Sequence, residues 1–282
     1  MDNTRRKLEL PEPVQRYVPS LPLRVAKVTR NTAIDLRGKR APQRTGLRLF
    51  DEVVERSLTR TDISDHLTTL FLESLAVRPS LIVELGVRGG ESTFVLERVA
   101  RLYRAKLVSV DIEDCSHVSS YPDWSFVKSD DIAFAQRFPF WCREQGIAGS
   151  VDVLFIDTSH EFEHTLAEVR NWFPFLSNRC KVFVHDTNMR KVYYRKDGSI
   201  GFGWPKRRGV IAALETYFDR KFDERHDFTQ FVGGWLLKHH ALCCGLTILE
   251  RVHDIAALRT NRDAATWESN EGIKEESSMR LG

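Results

Sequence analysis

The sequence has no long hydrophobic run, no strong excess of either charge and no cysteines at metal-binding spacing. No apolar stretch in its 282 residues approaches the roughly 20 residues that cross a bilayer, which argues against a membrane span. The segment from Met1 to Arg6 lacks the apolar core of a secretory signal, so we expect a cytoplasmic protein. A net charge of +3 is too small to indicate nucleic-acid binding. None of the five cysteines belongs to a CxxC motif, which favours free thiols in a reducing compartment.

The sequence also lacks the GxGxxG motif of dinucleotide-binding proteins, although a related turn is present. An apolar segment of strand type, Leu81–Leu85, breaks at Gly86, and Gly89 and Gly90 follow before a helix-compatible segment that starts at Glu91. A strand, a tight glycine turn and a helix N-terminus let a nucleotide-like ligand lie against bare backbone. This turn is therefore a candidate nucleotide site.

Downstream of the turn, predicted strands and helices alternate, which indicates an α/β fold with a Rossmann-like, doubly wound and mostly parallel sheet. We predict seven strands, the last two formed by residues 228–238 and 242–249 as a closing antiparallel pair. A helical extension from Gly46 to Val77 precedes the first strand, and Pro139 is expected to kink or split a helix over residues 130–145. Acidic residues lie at or near the ends of four predicted strands, where such sheets bind ligands: Glu84, Asp111, Asp157 and Asp186.

We place this domain at residues 46–260, with one segment before it, one long loop within it and one segment after it. Residues 1–45 form a basic arm punctuated by prolines, either a phosphate- or partner-binding arm or, as we favour, a solvated extension on the domain surface. Residues 187–208 form a long loop at the ligand face of the sheet, which is typical of a lid or an acceptor-binding loop. Residues 261–282 form a polar tail that we expect to be flexible.

Three details narrow the ligand of the glycine turn. Glu84 places a carboxylate near the position where dinucleotides put their pyrophosphate, which favours a ligand with a positively charged amino-acid moiety. Asp111 ends the next strand about 20 residues after the turn, where a carboxylate binds ribose hydroxyls. Asp130 and Asp131 follow the third strand, where they can hold an adenine amino group. These details favour S-adenosylmethionine over a nicotinamide dinucleotide.

With these motifs in place, residues 80–190 resemble a class I S-adenosylmethionine-dependent methyltransferase. More narrowly, two motifs are similar to a bacterial branch that often carries an "IDGDHSYE … HDT" pattern: Ile156-Asp-Thr-Ser-His-Glu-Phe-Glu163 and Val184-His-Asp-Thr187. That branch borders the metal-dependent sugar O-methyltransferases of the macrocin and mycinamicin type and the cephalosporin-hydroxylase-like proteins. The resemblance covers about two fifths of the chain.

The resemblance implies a set of cofactor-binding residues. They are Glu84, Gly86, Gly89, Gly90, Ser92, Asp111, Asp130 and Asp131. Glu84 and Gly86 would contact the methionine part of the cofactor, and Asp111 would bind the ribose. Asp130 or Asp131 would bind the adenine edge. The sequence departs from the general ExGxGxG pattern at Arg88, which replaces the middle glycine, so the approach of the backbone to the ligand is not carried over there.

The resemblance also implies a metal site and a catalytic base. In the metal-dependent relatives, acids that end the fourth and fifth strands bind magnesium, and the matching residues here are Asp157, His185 and Asp186. We therefore expect a Mg²⁺ or Mn²⁺ site, although His185 stands where relatives often carry an acid. His160 aligns with the histidine of the family pattern and is our expected catalytic base, acting as a neutral imidazole beside Asp157.

The expected reaction is transfer of a methyl group to a hydroxyl of a sugar or of a glycosylated or polyketide-type natural product. The acceptor would be a small molecule. Four aromatic residues of the 187–208 loop either contact it or only fold the loop down onto the protein: Tyr193, Tyr194, Phe202 and Trp204. The apolar helix pair within residues 46–77 suggests a homodimer. Three alternatives stay open: a nicotinamide-dependent oxidoreductase, a non-catalytic cofactor-binding protein of the same fold, and a metal-dependent hydroxylase. Against the hydroxylase, the sequence shows no clear set of two histidines and one carboxylate at fixed spacing.

Overall fold

The structure is a computed structural model that describes residues 17–38, 42–204 and 208–252. Its strands in chain order are β1 (Leu81–Leu85), β2 (Lys106–Asp111), β3 (Trp124–Lys128), β4 (Val151–Ile156), β5 (Leu176–His185), β6 (Val192–Tyr194), β7 (Ile200–Phe202), β8 (Phe228–Val232), β9 (Trp235–His240) and β10 (Leu246–Arg251). Eight of them form one sheet in the order β3-β2-β1-β4-β5-β10-β9-β8, and β6 pairs only with β7. The first five strands of this order are parallel, as predicted.

Helices cover both faces of this sheet, which confirms the doubly wound fold. The helices of the chain are α1 (Leu21–Leu36), α2 (Arg48–Ser57), α3 (Leu67–Val77), α4 (Glu91–Tyr103), α5 (Asp131–Glu144), α6 (Phe162–Trp172) and α7 (Gly209–Phe218), and all but α1 pack against the central sheet. Successive side chains of a strand point to opposite faces. Accordingly, Ile82 packs in one core with Phe71 of α3, whereas Val83 packs in another with Phe134 of α5. The apolar face of the α2–α3 pair, from which the homodimer was predicted, packs into the first core.

The sheet has eight strands rather than the predicted seven. The predicted strand over 228–238 is divided into β8 and β9 by Gly233 and Gly234, whose φ angles are 55° and 84°. This left-handed backbone is available to glycine and turns the chain back on itself, so the two halves pair as a hairpin. The predicted antiparallel closure is present, because β9 pairs with β10 and β10 pairs antiparallel with β5.

Pro139 does not split its helix, contrary to one of the two expectations. Helix α5 continues through Pro139 from Asp131 to Glu144. Proline removes one backbone donor from a helix and normally costs about 3 kcal/mol in its interior. The buried side chains Phe134, Phe138 and Cys142 hold both halves of α5 against the core, and this packing offsets the missing hydrogen bond.

The 187–208 loop contains the β6–β7 hairpin, and α1 lies against this hairpin. Arg30 Nε donates to the Gly198 carbonyl at 2.6 Å. Asn31 makes two bonds with the backbone of Ile200, donating at 3.1 Å and accepting at 2.8 Å. No residue of α1 is buried, so polar contacts rather than a core hold it in place. Part of the predicted solvated arm is therefore a helix docked on the 187–208 loop.

Several predicted segments lie outside the described residues. They are residues 1–16 and 39–41 of the basic arm, residues 205–207 of the loop, residues 253–260 at the end of the predicted domain and the tail at 261–282. Within the described ranges, no helix combines the length and the apolar character that crossing a membrane requires.

Candidate active site

The glycine turn after β1 is held in a conformation that only glycine adopts easily. Gly86 has a φ of 86°, and its amide donates to the Val110 carbonyl at 2.9 Å. A side chain at Gly86 would overlap the backbone carbonyl of Asp157 at the end of β4. The absence of a Cβ at Gly86 therefore lets the ends of β1 and β4 approach each other closely.

The other two glycines of the turn differ from Gly86. Gly90 has a φ of 77° and precedes the first residue of α4, and a Cβ there would meet the side chain of Val118. A Cβ at Gly89 would meet no atom within 4 Å. Gly89 thus lies beside open space, which is consistent with a ligand lying against its backbone.

Glu84 of β1 lies beneath the turn and is fully buried. Its carboxyl accepts hydrogen bonds from Ser92 at 2.6 Å, from Thr93 at 2.9 Å and from Ser109 at 2.5 Å. Burial raises the pKa of Glu84 to about 7, against the three hydroxyl donors, which lower it. The carboxyl fixes the start of α4 under the turn, and the direct contact of Glu84 with a cofactor stays a prediction.

The raised pKa of Glu84 should be measurable as a pH dependence of stability. Between pH 4.5, the ordinary value, and about 7 the carboxyl ionises in the unfolded chain but stays protonated in the folded one. The free energy of unfolding should therefore decrease by roughly 3 kcal/mol over this interval. Glu84→Gln removes the titrating group. The free energy of unfolding of the wild type, measured in urea, should therefore fall by this amount relative to that of the variant as pH rises. Parallel curves for the two proteins would show that Glu84 titrates normally.

Asp111 lies at the same turn, at the end of β2. Its Oδ2 accepts the backbone amides of Val87 at 2.7 Å and of Arg88 at 3.1 Å, and its Oδ1 accepts that of Glu113 at 2.9 Å. Two carboxylate oxygens offer about four acceptor positions, and the three amides occupy three of them. The structure thus brings Asp111 to the glycine turn, and ribose binding stays a prediction.

The two aspartates after β3 have different surroundings. Asp130 Oδ1 caps α5 by accepting the Ala133 amide at 2.8 Å. Asp131 is buried, and its carboxylate contacts His164 Nε2 at 3.0 Å. Of the two predicted adenine-binding residues, Asp130 is therefore the one with more surface for a ligand.

Four residues from the ends of β4 and β5 form the centre of the site, and we call Asp157, His160, His185 and Asp186 the Asp–His cluster. His160 Nε2 lies 3.1 Å from Asp157 Oδ1 and 2.9 Å from Asp186 Oδ2. His185 Nδ1 lies 3.2 Å from the same Asp157 oxygen. His160 and Asp186 have φ angles of 61° and 57°, a strained conformation for residues with side chains that is often found at functional sites.

The charges of the Asp–His cluster follow from its geometry. Burial disfavours a charge on either imidazole, but the facing carboxylates outweigh it and raise the pKa of His160 to about 10 and that of His185 to about 9. Burial likewise opposes ionisation of Asp157 and Asp186, but the histidines keep the pKa of both carboxyls below its usual range. His160 therefore holds a proton at neutral pH, which does not fit its predicted role as a neutral base unless a cation or ligand displaces that proton.

The donor atoms of the Asp–His cluster fit a divalent cation. One donor atom each of Asp157, His160 and Asp186 lie within 4.8 Å of one another. Among the described residues, Asp186 Oδ1 and His185 Nε2 are buried without a hydrogen-bond partner. Two carboxylates and one imidazole suit Mn²⁺ or Mg²⁺. The geometry places His160 closer to both carboxylates than the predicted ligand His185.

The predicted acceptor residues separate into two groups. Trp204 lies beside the cluster, with its ring centroid 5.7 Å from that of His160. Tyr193 is buried against Cys243 and Cys244, and its hydroxyl accepts a hydrogen bond from Arg195 at 3.0 Å. Tyr193 thus folds the loop down rather than facing an acceptor.

Tyr194 and Phe202 contact the N-terminal helix instead. The Arg30 guanidinium lies 5.3 Å from the Tyr194 ring, and Lys27 Nζ lies 4.7 Å from the Phe202 ring. These contacts attach α1 to the hairpin, and acceptor contact by the two rings stays a prediction.

Two residues near the cluster were not identified from the sequence. The His66 ring packs edge-on against His185 at 5.9 Å, and burial lowers the pKa of His66 to about 3, so it stays neutral. Gly209 begins α7, and a Cβ there would meet the His160 carbonyl. His66 is a single histidine between helical segments and Gly209 is an isolated glycine, so no sequence motif predicts that either lies at the cluster.

The five parallel strands are followed by a reversed strand, because β10 lies antiparallel beside β5. This strand order, the glycine turn and the acidic strand ends agree with the class I methyltransferase fold that the sequence resembles. The family model described as "Methyltransferase domain" matches residues 83–187, from β1 to just beyond β5. Residues 83–187 therefore form a methyltransferase domain.

Comparisons with solved structures give distant similarities. The "MycE Methyltransferase from the Mycinamycin Biosynthetic Pathway", in complex with Mg and SAH, is 16% identical over 80% of this chain and 61% of its own, with a TM-score of 0.47. A methyltransferase from Geobacter sulfurreducens is 14% identical over 80% and 97%, with a TM-score of 0.46. The TDP-rhamnose 3'-O-methyltransferase of calicheamicin biosynthesis is 15% identical over 83% and 96%, with a TM-score of 0.45. Values of this size give no information on substrate. No curated protein sequence matches the chain.

Proposed function

We propose that the protein transfers the methyl group of S-adenosylmethionine to a hydroxyl of a small-molecule acceptor. The acceptor class that we propose is a sugar or a glycosylated or polyketide-type natural product. The observation that carries this proposal is the Asp–His cluster, which lies at the carboxyl ends of β4 and β5 and touches the glycine turn through Asp157 and Gly86. Two carboxylates and two imidazoles beside a methyl-donor site are suited to activating a hydroxyl.

The cofactor would lie along the glycine turn. Gly86, Gly89 and Gly90 would present backbone to the methionine part, with Glu84 and Ser92 supporting the turn from below. Asp111 would use its remaining acceptor position for the ribose, and Asp130 would face the adenine. The sulfonium methyl would then point toward the Asp–His cluster across the narrow gap between β1 and β4.

The reaction is an in-line displacement, in which the acceptor oxygen bonds to the methyl carbon while the bond from that carbon to sulfur breaks. The hydroxyl proton would pass to His160 Nε2, where Asp157 and Asp186 stabilise the imidazolium. Asp157 and Asp186 would hold a divalent cation and leave His160 Nε2 free to accept that proton. When bound, the cation would neutralise both carboxylates, which lowers the pKa of His160 and of an acceptor hydroxyl. Holding the two reactants in line supplies much of the rate.

Removal of divalent cations should abolish methyl transfer if this proposal is correct. In EDTA the carboxylates keep His160 protonated, so no group is free to accept the hydroxyl proton. Addition of Mg²⁺ or Mn²⁺ in excess of the chelator should restore turnover, measured as S-adenosylhomocysteine release over a panel of hydroxylated acceptors. Full activity in EDTA would remove the metal from the mechanism and leave the methyl transfer itself intact.

Calorimetry with S-adenosylhomocysteine and with NAD tests the cofactor separately. We expect binding of S-adenosylhomocysteine and no binding of NAD. Cofactor binding without turnover on any acceptor would favour the non-catalytic alternative. The homodimer stays a prediction, as does the cytoplasmic location.

A further inference from the structure

A cavity of about 450 Å³ lies beside the Asp–His cluster, past the end of β5. It is lined by Thr187, Asn188, Met189, Arg190, Lys191, Arg208, Ile211, Glu224 and Arg225. Thr187 directly follows Asp186 in the chain, and Ile211 belongs to the first turn of α7. The cavity therefore lies next to the proposed site of the acceptor hydroxyl.

The lining has four cationic side chains, and they differ in how far they are neutralised. Arg208 contacts Glu224 at 2.9 Å and Glu215 at 3.0 Å, so its charge is compensated. Arg225 contacts Asp223 at 2.8 Å on the exposed surface, where such pairs are weak.

Arg190 and Lys191 have no carboxylate partner within the described residues. Arg190 Nε donates to the neutral Asn188 Oδ1 at 3.1 Å. Lys191 Nζ lies 5.3 Å from the centre of the Tyr17 ring. Both charges at the cavity are thus available to an anion, and the guanidinium of Arg190 can form the paired hydrogen bonds that suit a phosphate.

The N-terminus of α7 adds to this positive region. Helix α7 begins at Gly209, has no side-chain cap and has no acidic residue in its first turn. The amides of a first helical turn lack partners within the helix, and the helix dipole favours an anion there. Because Gly209 packs against the His160 carbonyl, this helix end is anchored beside the proposed base.

We propose that the acceptor carries a phosphate or diphosphate group that binds in this cavity between Arg190, Lys191 and the N-terminus of α7. The inference rests on the proposed function, because it concerns the acceptor of the same site. A neutral sugar would leave the two unpaired cations without a partner, and a single carboxylate would occupy little of the cavity volume. The cavity does not serve the carboxylate of the cofactor. The cofactor would lie at the glycine turn after β1, whereas the cavity lies past the end of β5, and β4 separates these two strands.

The test uses inorganic pyrophosphate as the probe and the full-length protein saturated with S-adenosylhomocysteine. We expect pyrophosphate to bind in calorimetry, and the double variant Arg190→Gln/Lys191→Gln to weaken binding at least about tenfold. Lys196→Gln is the matched control, since it removes one charge from the same loop at an exposed residue outside the cavity. Thermal melting of each protein checks that the variants are folded.

The outcomes separate this inference from the proposed function. If S-adenosylhomocysteine binds but pyrophosphate does not bind at millimolar concentration, the phosphate site is overturned while the methyltransferase assignment stands. Equal pyrophosphate affinity in the double variant and the Lys196→Gln control would also overturn it. If S-adenosylhomocysteine itself fails to bind, the proposed function fails. In turnover assays, a sugar phosphate and a nucleoside diphosphate sugar distinguish the two sources of phosphate, and a faster reaction with the neutral sugar than with either would contradict the inference.

Discussion

Replacing Asp157 by asparagine should lower kcat by about 100- to 10,000-fold, the range for loss of general acid–base catalysis. Asp157 Oδ1 is the single atom that His160 Nε2 and His185 Nδ1 both contact, at 3.1 and 3.2 Å. Asparagine keeps the shape of the side chain but not the charge, so it can neither stabilise an imidazolium at His160 nor contribute to a cation site. Mn²⁺ binding should be lost together with turnover, whereas the affinity for S-adenosylhomocysteine should change little.

Asp152→Asn provides the matched control for Asp157→Asn. Asp152 lies on β4 near the opposite end, where its carboxylate accepts the amides of Ser80 at 2.7 Å and Leu81 at 3.2 Å. Asparagine retains an acceptor oxygen for these amides, so the control should fold and methylate normally. If Asp157→Asn methylates as fast as Asp152→Asn, the Asp–His cluster is not the catalytic centre.

Replacing Gly86 by alanine should destabilise the folded chain by about 3 kcal/mol or more, the sum of a left-handed residue and an overpacked contact. The φ angle of Gly86 is 86°, and the new methyl group would overlap the Asp157 carbonyl. Relief of this overlap requires the ends of β1 and β4 to move apart. Urea denaturation measures the stability, and calorimetry should show that the binding of S-adenosylhomocysteine is also lost.

Gly89→Ala is the informative comparison, because the same change three residues later meets no atom within 4 Å. Its stability should stay within about 0.5 kcal/mol of the wild type. If the cofactor lies against Gly89 as proposed, this variant should be stable but weakened in S-adenosylhomocysteine binding. Equal destabilisation by the two substitutions would show that the turn is not held as described.

The features that could be predicted from the sequence are those set by short-range periodicity. Apolar runs with an acid at or near the end gave β1, β2 and β4 within a residue, but of β5 only the end, since that strand begins at Leu176, four residues before the predicted start. The carboxyl ends of parallel strands necessarily meet at one edge. The contact of Asp111 with the turn amides and the proximity of Asp157 to Asp186 follow from this rule. The eighth strand was missed because two adjacent glycines inside an apolar run were not interpreted as a turn.

Protonation and side-chain direction could not be predicted in this way, since both depend on contacts between distant segments. His160 was expected to be neutral from its ordinary pKa, but the strand ends place it between Asp157 and Asp186, which raises its pKa to about 10. Asp131 and Tyr193 have residue types suited to a ligand site, but the fold buries both. Residue type indicates what a side chain can bind, and the tertiary structure decides whether it is reached.

The separate pairing of β6 with β7 affects how this protein can diverge. The hairpin shares no hydrogen-bonded ladder with the central sheet, and its neighbour α1 has no buried residue. Insertions, deletions or substitutions in the hairpin therefore break none of the backbone bonds that position Asp157 and Asp186. Loops of this kind tolerate sequence change better than the elements they connect. The sequence of the hairpin can thus change while the Asp–His cluster keeps its geometry.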